Sequence, residues 1–314
     1  MKQLTLFTLA LICPLSSTAQ VKSHWKKHLV WEGLRCNVAV AADFTGDGKI
    51  DIISSAGGKT RLHVAPTWKE VVIGDDKNHT FIHGETLDVD GDGDLDIYMA
   101  NDKKRSVRDI YPLSERVFEK TTRRTEDGWE VLPEFQEHYT LNLQGNRLER
   151  FEYAEPDYFF LNNGSGHFDR EELNGGRFLD ADGKPIKENY ADWGLTARFQ
   201  DFDNDGDPDI YVCNDFESPD RIWNNDGGGQ FSMMPKLAVR NTSASSMGID
   251  FADFNRDGSL DFFVVEMLSR DHKRRKTQMG PMSATPVSLG EIDNRPQYMR
   301  NTLFLNRGDN TYAE

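Results

Sequence analysis

Carboxylates recur along this chain at a spacing that suits a hard cation. Four segments share the form D-x-[DNT]-x-D-G-x-x-D, running from Asp43 to Asp51, Asp88 to Asp96, Asp201 to Asp209 and Asp253 to Asp261. Side-chain oxygens fall at positions 1, 3, 5 and 9 of each, and a glycine at position 6 lets the chain turn sharply. Calcium accepts about six to eight oxygens at flexible angles, so a tight loop that aims several carboxylates and one main-chain carbonyl at a point suits it. Magnesium, which demands a strict octahedron, fits less well.

The expected ligands follow from this register. In the second loop they are Asp88, Asp90, Asp92 and Asp96, with the carbonyl of Asp94 at position 7. The third repeats the pattern with Asp201, Asp203, Asp205, Asp209 and the carbonyl of Asp207. The first has Asp43, Thr45, Asp47, Asp51 and the carbonyl of Lys49; the fourth has Asp253, Asn255, Asp257, Asp261 and that of Ser259. Carrying less negative charge, these two are expected to bind more weakly. A single copy reads equally well as a solvated Asp-Gly turn, but four at one spacing point to metal. Carboxylates packed this closely resist joint ionisation unless a cation or a raised pKa relieves them.

An EF-hand is excluded, because position 12 holds Ser54, Met99, Val212 and Val264 in place of the bidentate Glu. Each loop runs instead into a β-rich apolar stretch: Ile50 to Ile53, Ile97 to Ala100, Ile210 to Cys213 and Phe262 to Val265. The loops are therefore positioned by strands.

The chain begins with Lys2, an apolar run from Leu4 to Ile12, and small residues at Ser17 and Ala19, the pattern of a secretory signal peptide over residues 1–19. Leu11 and Ile12 before Cys13 are not the small residues of a lipoprotein processing site. A secreted or periplasmic protein is expected. Beyond residue 19 only Cys36 and Cys213 remain, leaving open one bridge or two unpaired thiols, and no disulfide framework. The formal charge of −15 disfavours nucleic acid and anionic membranes as partners. Sixteen of the carboxylates lie in the four loops, and four bound Ca²⁺ would bring the net charge to −7. With 37% hydrophobic residues the chain can bury a core, and no other apolar stretch suggests a membrane span.

A second element repeats. Asp157 to Phe168 (DYFFLNNGSGHF), Arg221 to Phe231 (RIWNNDGGGQF) and Asn301 to Tyr312 (NTLFLNRGDNTY) each read as strand, Gly/Asn turn and returning strand. The first two acidic loops start 45 residues apart and the last two 52 apart, the period of propeller blades. The longer middle interval is assigned to a polar insertion near residues 102–155, with short strands at Trp129 to Leu132 and His138 to Leu143, and a second insertion to residues 268–295. Loop, strand and hairpin make a small antiparallel sheet per repeat. The expected fold is all-β, a β-propeller of about four to five blades over residues 20–314.

These residues resemble the FG-GAP/VCBS repeat proteins, whose blades carry such calcium loops. Within that group, Ser246 to Gly258 (SMGIDFADFNRDG), Glu266 to His272 (EMLSRDH) and Asn301 to Glu314 resemble the ASPIC/UnbV, or cartilage acidic protein, family. The resemblance implies a seven-bladed secreted propeller and calcium, and it fixes no activity. Ending in mid-repeat without the ASPIC/UnbV segment, the chain is expected to be C-terminally truncated.

Other motifs are set aside. His79, His83 and Glu85 imitate a zinc site, but residues four apart on a strand lie about 13 Å from one another. The basic run His272 to Lys276 and the tripeptide Arg307-Gly308-Asp309 read most simply as a solvated loop and a turn. No nucleophile elbow or phosphate loop occurs, so no enzymatic activity is expected; Glu266, Asp271 and His272 are the catalytic candidates under the alternative of a calcium-assisted carbohydrate-active enzyme. The expected function is binding or adhesion to an extracellular protein or glycan, with structural Ca²⁺.

Overall fold

A computed structural model describes residues 27–75, 79–103, 105–144, 147–215, 218–235, 237–278 and 296–314. The signal-peptide stretch lies outside these, as does most of the 268–295 segment. The chain divides into Met1–Glu32, whose described residues form no helix or strand, and Gly33–Glu314, which carries the fold.

The fold is all-β and built from four antiparallel meanders. Sheet I comprises Val38–Ala42, Asp51–Ala56, Lys59–Val64 and Lys69–Asp75; sheet II His79–Leu87, Asp96–Lys103, Tyr158–Asn162 and Phe168–Glu172. Sheet III comprises Gly194–Gln200, Asp209–Asn214, Arg221–Asn225 and Phe231–Met233, with Phe178–Leu179 added in parallel at its outer edge; sheet IV comprises Ser246–Ala252, Asp261–Glu266, Thr302–Asn306 and Tyr312–Ala313. In all four the spatial order of the four meander strands is their chain order; Phe178–Leu179 alone departs from it. The first strands of successive sheets pack on one another.

Three cores lie between successive sheets, and alternation along the strands builds them. Ile97 and Met99 join Ile53 and Leu62 of sheet I, while Tyr98 between them joins Ile210, Val212 and Trp223 of sheet III. Tyr211 and Cys213 in turn face Phe262, Val264 and Phe304 of sheet IV. Both faces of sheets II and III are covered, which is why their second strands read as unbroken apolar runs. Cys213 is buried in the third core and Cys36 is exposed; neither forms a disulfide.

The long interval between the second and third acidic loops is occupied by an excursion from sheet II. Strands Asp96–Lys103 and Tyr158–Asn162 pair directly, Tyr158 opposite Met99, and the described residues between them form two short α-helices, one 3-10 turn and two hairpins. One hairpin contains Gly128–Val131 and the other Tyr139–Gln144, near the expected strands. Val107, Val131, Phe135 and Tyr139 give this excursion a small core of its own.

At the end of sheets II, III and IV remote from the acidic loops a second lock recurs. Asp157, just before the third strand of sheet II, accepts the Tyr98 hydroxyl and the Asn101 backbone N–H, both at 2.8 Å. Asp220 of sheet III accepts the Tyr211 hydroxyl at 2.8 Å and the Asn214 N–H at 2.9 Å. Sheet IV exchanges the chemistry: Glu266 takes the place of the strand-end Asn, and its N–H donates to Asn301 Oδ1 at 2.8 Å.

Candidate metal centres

Each acidic loop joins the first strand of its sheet to the second, and the aspartate at position 9 is the first residue of that second strand. Two left-handed residues fold the loop back on itself. Position 6 is Gly48, Gly93, Gly206 or Gly258, and position 4 is Gly46, Gly91, Asn204 or Arg256, all with positive φ.

Position 9 is almost fully buried: Asp51, Asp96, Asp209 and Asp261 are at most 1% exposed. The reason lies in what their oxygens accept. In every loop one oxygen takes the backbone N–H of position 2, from Phe44 at 3.2 Å, Val89 at 3.3 Å, Phe202 at 3.1 Å and Phe254 at 2.9 Å. The other takes a backbone N–H from the far end of the third strand. The donors are Ala65 at 2.8 Å, Asn162 at 2.9 Å, Asn225 at 2.9 Å and Asn306 at 2.8 Å. Position 9 thus clasps the loop to the hairpin of its own sheet.

The side chains of Asn162, Asn225 and Asn306 extend the clasp. Each Nδ2 donates to the position-8 carbonyl of its own loop, Leu95 at 3.2 Å, Pro208 at 3.1 Å and Leu260 at 3.3 Å. It also reaches the position-2 carbonyl of the preceding loop, Phe44 at 3.0 Å, Val89 at 3.0 Å and Phe202 at 3.3 Å. Each Oδ1 accepts the N–H of the turn glycine two residues on, Gly164, Gly227 or Gly308. From sequence these asparagines read only as turn residues; the N-x-G common to the three hairpins was the available signal.

The loops differ in what they bring together. In the second, ligand oxygens of Asp88, Asp90 and Asp96 all lie within 4.8 Å of one another, and in the third those of Asp201, Asp203 and Asp209 do the same. Asp92, Asp94, Asp205 and Asp207 fall outside these triads. At position 5, Asp92 and Asp205 instead accept the N–H of position 7, from Asp94 at 2.9 Å and Asp207 at 3.0 Å. Position 1 cradles the turn glycine in every loop: Asp43, Asp88, Asp201 and Asp253 accept from Gly48, Gly93, Gly206 and Gly258.

In the first loop Thr45 donates its hydroxyl to Asp51 at 3.0 Å, and the Lys49 ammonium lies 2.6 Å from Asp47 Oδ2. That loop therefore carries a cation of its own. In the fourth, the Asn255 amide donates to Asp257 at 2.8 Å, and Ser259 N–H to Asp257 Oδ1 at 2.8 Å. Neither loop gathers three carboxylates.

The triads fit a divalent cation. Among the described residues, Asp90 Oδ1 in the second loop and Asp201 Oδ1 in the third are buried oxygens without a hydrogen-bond donor. An ionised carboxylate oxygen in that condition calls for a positive partner. Burial also pushes the Asp96 carboxyl up to about 7 and Asp209 to about 8, against the pull of their N–H donors and with help from the neighbouring aspartates. Three carboxylates within reach of one point thus resist ionising together.

The remaining candidates have structural partners. His83 Nδ1 accepts the Ala197 N–H at 3.2 Å and Glu85 lies 3.4 Å from Arg198 Nη1, so both tie sheet II to the first strand of sheet III. The His79 side chain lies outside the described residues. Asp271 caps the helix His272–Gln278 through Arg274 N–H at 2.8 Å. Glu266 is buried, which pushes its carboxyl up to about 7, and accepts the Leu268 N–H at 3.0 Å. Arg307-Gly308-Asp309 forms the turn between the last two strands of sheet IV.

A family model for an FG-GAP-like repeat matches residues 201–264, which span the third and fourth loops with the last three meander strands of sheet III and the first strand of sheet IV between them. The chain therefore contains an FG-GAP-like repeat on an all-β frame. No curated protein matches it. Among solved structures, a lectin of Agrocybe aegerita, described with specific recognition of non-reducing terminal N-acetylglucosamine, aligns at 15% identity over 90% of this chain and 80% of that one, with a TM-score of 0.26. The Photorhabdus luminescens Tc holotoxin pore aligns at 15% identity over 88% of this chain and 12% of its own, with a TM-score of 0.24. At these TM-scores neither bears on the site. No helix among the described residues is long and apolar enough to cross a membrane.

Proposed function

We propose that this chain is a secreted calcium-binding β-propeller whose calcium is structural and whose exposed connections bind a protein or glycan ligand without catalysis. The observation that carries the calcium reading is the pair of aspartate triads, each with a buried carboxylate oxygen that no donor satisfies. Asp88, Asp90 and Asp96 would hold one ion, and Asp201, Asp203 and Asp209 another. A bound divalent ion would neutralise carboxylates that burial otherwise drives toward protonation.

The propeller reading draws on four meanders of one topology packed through their first strands, and on the FG-GAP-like repeat. Assignment to the ASPIC/UnbV family belongs to the same reading and rests on Ser246 to Gly258 and Glu266 to His272. Secretion rests on residues 1–19. Since the loops clasp successive sheets together, an ion held in them stabilises the stack. A site at ten times its dissociation constant adds about 1.4 kcal/mol by linkage.

Thermal unfolding of the chain from Gln20, in millimolar calcium, in magnesium and with chelator, tests the proposal. A cooperative melt raised by calcium and not by magnesium supports it. A melt indifferent to calcium overturns the metal assignment.

A further inference from the structure

The hairpins of sheets II, III and IV each reach the acidic loop of the sheet before them. In sheet IV, Asn306 Nδ2 and the Tyr312 hydroxyl both donate to the Phe202 carbonyl, at 3.3 and 3.2 Å. Phe202 is followed directly by Asp203, one of the three carboxylates of the third metal centre. The turn between Asn306 and Tyr312 is therefore held beside that centre by a different sheet from the one that carries it.

One position of the turn is directed at the loop. Gly166, Gly229 and Asn310 each lie two residues before the cross-strand partner of the clasping asparagine, which is Phe168, Phe231 or Tyr312. All three are left-handed, with φ of 75°, 73° and 59°. A Cβ added to Gly166 would meet Thr45 Cγ2 at 3.1 Å, and one added to Gly229 would meet Asp90 Cβ at 2.9 Å. Thr45 and Asp90 stand at position 3 of their loops, the position that Asp203 holds in the third. Two hairpins place glycine there and so bring no side chain; sheet IV brings Asn310.

The bonds that shape this turn do not use the Asn310 amide. Gly308 N–H donates to Asn306 Oδ1 at 2.9 Å, and the N–H and hydroxyl of Thr311 donate to Asp309 Oδ1 at 3.1 and 2.6 Å. Asn310 lines a cavity of about 540 Å³ between the outer edge of sheet III and the last turn of sheet IV, and Asn224 lines it too. Asn224 Nδ2 donates to Asp203 Oδ2 at 2.8 Å, which sets the cavity against the third centre. In that centre Asp201 Oδ1 is buried without a donor. Three carboxylates fall short of the six to eight oxygens calcium accepts, and an amide oxygen is among the ligands it takes. The second centre differs at the same place. There Arg177 Nη1 donates to the Gly229 carbonyl at 2.7 Å and would lie 2.6 Å from a Cβ on Gly229, the point that Asp90 also crowds.

We infer that Asn310 supplies its side-chain oxygen to the third metal centre, so that one divalent ion is held by Asp201, Asp203 and Asp209 from the loop of sheet III and by Asn310 from sheet IV. The inference rests on the calcium reading proposed above and extends it: the third ion joins two sheets, whereas the second is held within sheet II. The third centre is then the tighter of the two, because an oxygen ligand stands where the second has the Arg177 guanidinium.

Calorimetric titration of the chain from Gln20 with calcium tests this in an Asp90→Ala background, where the third centre is the tight site. Asn310→Gly restores the residue of the sister hairpins and suits the left-handed backbone, so the turn is kept. It is expected to weaken the tight site about tenfold, and Asn310→Asp to strengthen it about as much, because ligand number and charge set the affinity. With chelator, Asn310→Gly is expected to melt at or above its parent, and in calcium below it. Unchanged calcium affinity in Asn310→Gly overturns the inference alone; a lower melt of that variant in chelator would then give Asn310 a structural bond instead. Absence of any tight site in the Asp90→Ala background overturns both the inference and the calcium reading beneath it.

Discussion

Asn162, at the end of the third strand of sheet II, donates from its side chain to the backbone carbonyl of Phe44, in the acidic loop of sheet I, at 3.0 Å. The same bond recurs from Asn225 to Val89 and from Asn306 to Phe202. One amide thus joins two loops and one hairpin across each boundary between sheets, and every one of its polar atoms is used.

Asn162→Ala and Asn225→Ala are expected to destabilise the fold by about 2–3 kcal/mol each, because buried carbonyls lose their donor. Asn→Asp at the same positions is expected to be worse at neutral pH, since it sets a carboxylate against carbonyls and the position-9 aspartate. Urea unfolding in the presence of calcium gives both values; equal stability of the alanine variants and the parent would remove the clasp from the account.

Calcium titration should resolve two kinds of loop. Asp90→Ala and Asp203→Ala each remove one tight site from the calorimetric stoichiometry. Lys49→Ala, which frees Asp47 from the ammonium 2.6 Å away, raises the affinity of the first loop by a few-fold, because a competing positive charge is gone.

Position 4 of the loops is left-handed whatever residue stands there. Arg256 has φ 64°, so Arg256→Gly is expected to stabilise the fold by about 1 kcal/mol. Gly91→Ala should cost about the same, and the cost is conformational, since an added Cβ meets nothing within 4 Å. Chemical denaturation of the two variants gives opposite signs on this account.

Asp157 gives a pH dependence away from the metal centres. Burial drives its carboxyl up to about 7, only partly offset by the Asn101 N–H and the Tyr98 hydroxyl. The unfolded chain releases this proton near pH 4 and the folded chain near 7, so the folded state binds more protons in between. The contribution of this group is complete below pH 4 and falls as pH rises toward 7, by up to about 1 kcal/mol per pH unit. Asp157→Asn, which cannot ionise, is expected to flatten that part of the stability profile between pH 4.5 and 7.5. Identical slopes in variant and parent would show that the carboxyl titrates normally.

Local order carries much of this protein, and the sequence by itself determined that part. The four loops, the strands that follow them and the three N-x-G hairpins show in the chain because a loop needs acid and glycine at set positions and a strand buried on both faces needs an unbroken apolar run. Alternation also marks Ile97 and Met99 as facing one way and Tyr98 the other. What each face meets depends on which sheet packs there.

Tertiary structure decided the rest. Position 9 reads in sequence as one more ligand, and only the fold shows that Asp96 is buried, with the Asn162 N–H, 66 residues on, reaching its oxygen. Charge alone separates the second and third loops from the first and fourth in the sequence, and folding shows what each does: two gather three carboxylates, one holds the ammonium of Lys49, and one closes Asn255 on Asp257. The 180–183 turn, the outer edge of sheet III and Asp309 meet at one cavity only because sheet IV packs on sheet III. Charge, burial and donor supply at a site are sums over segments distant in sequence, and they acquire values only when those segments are brought together.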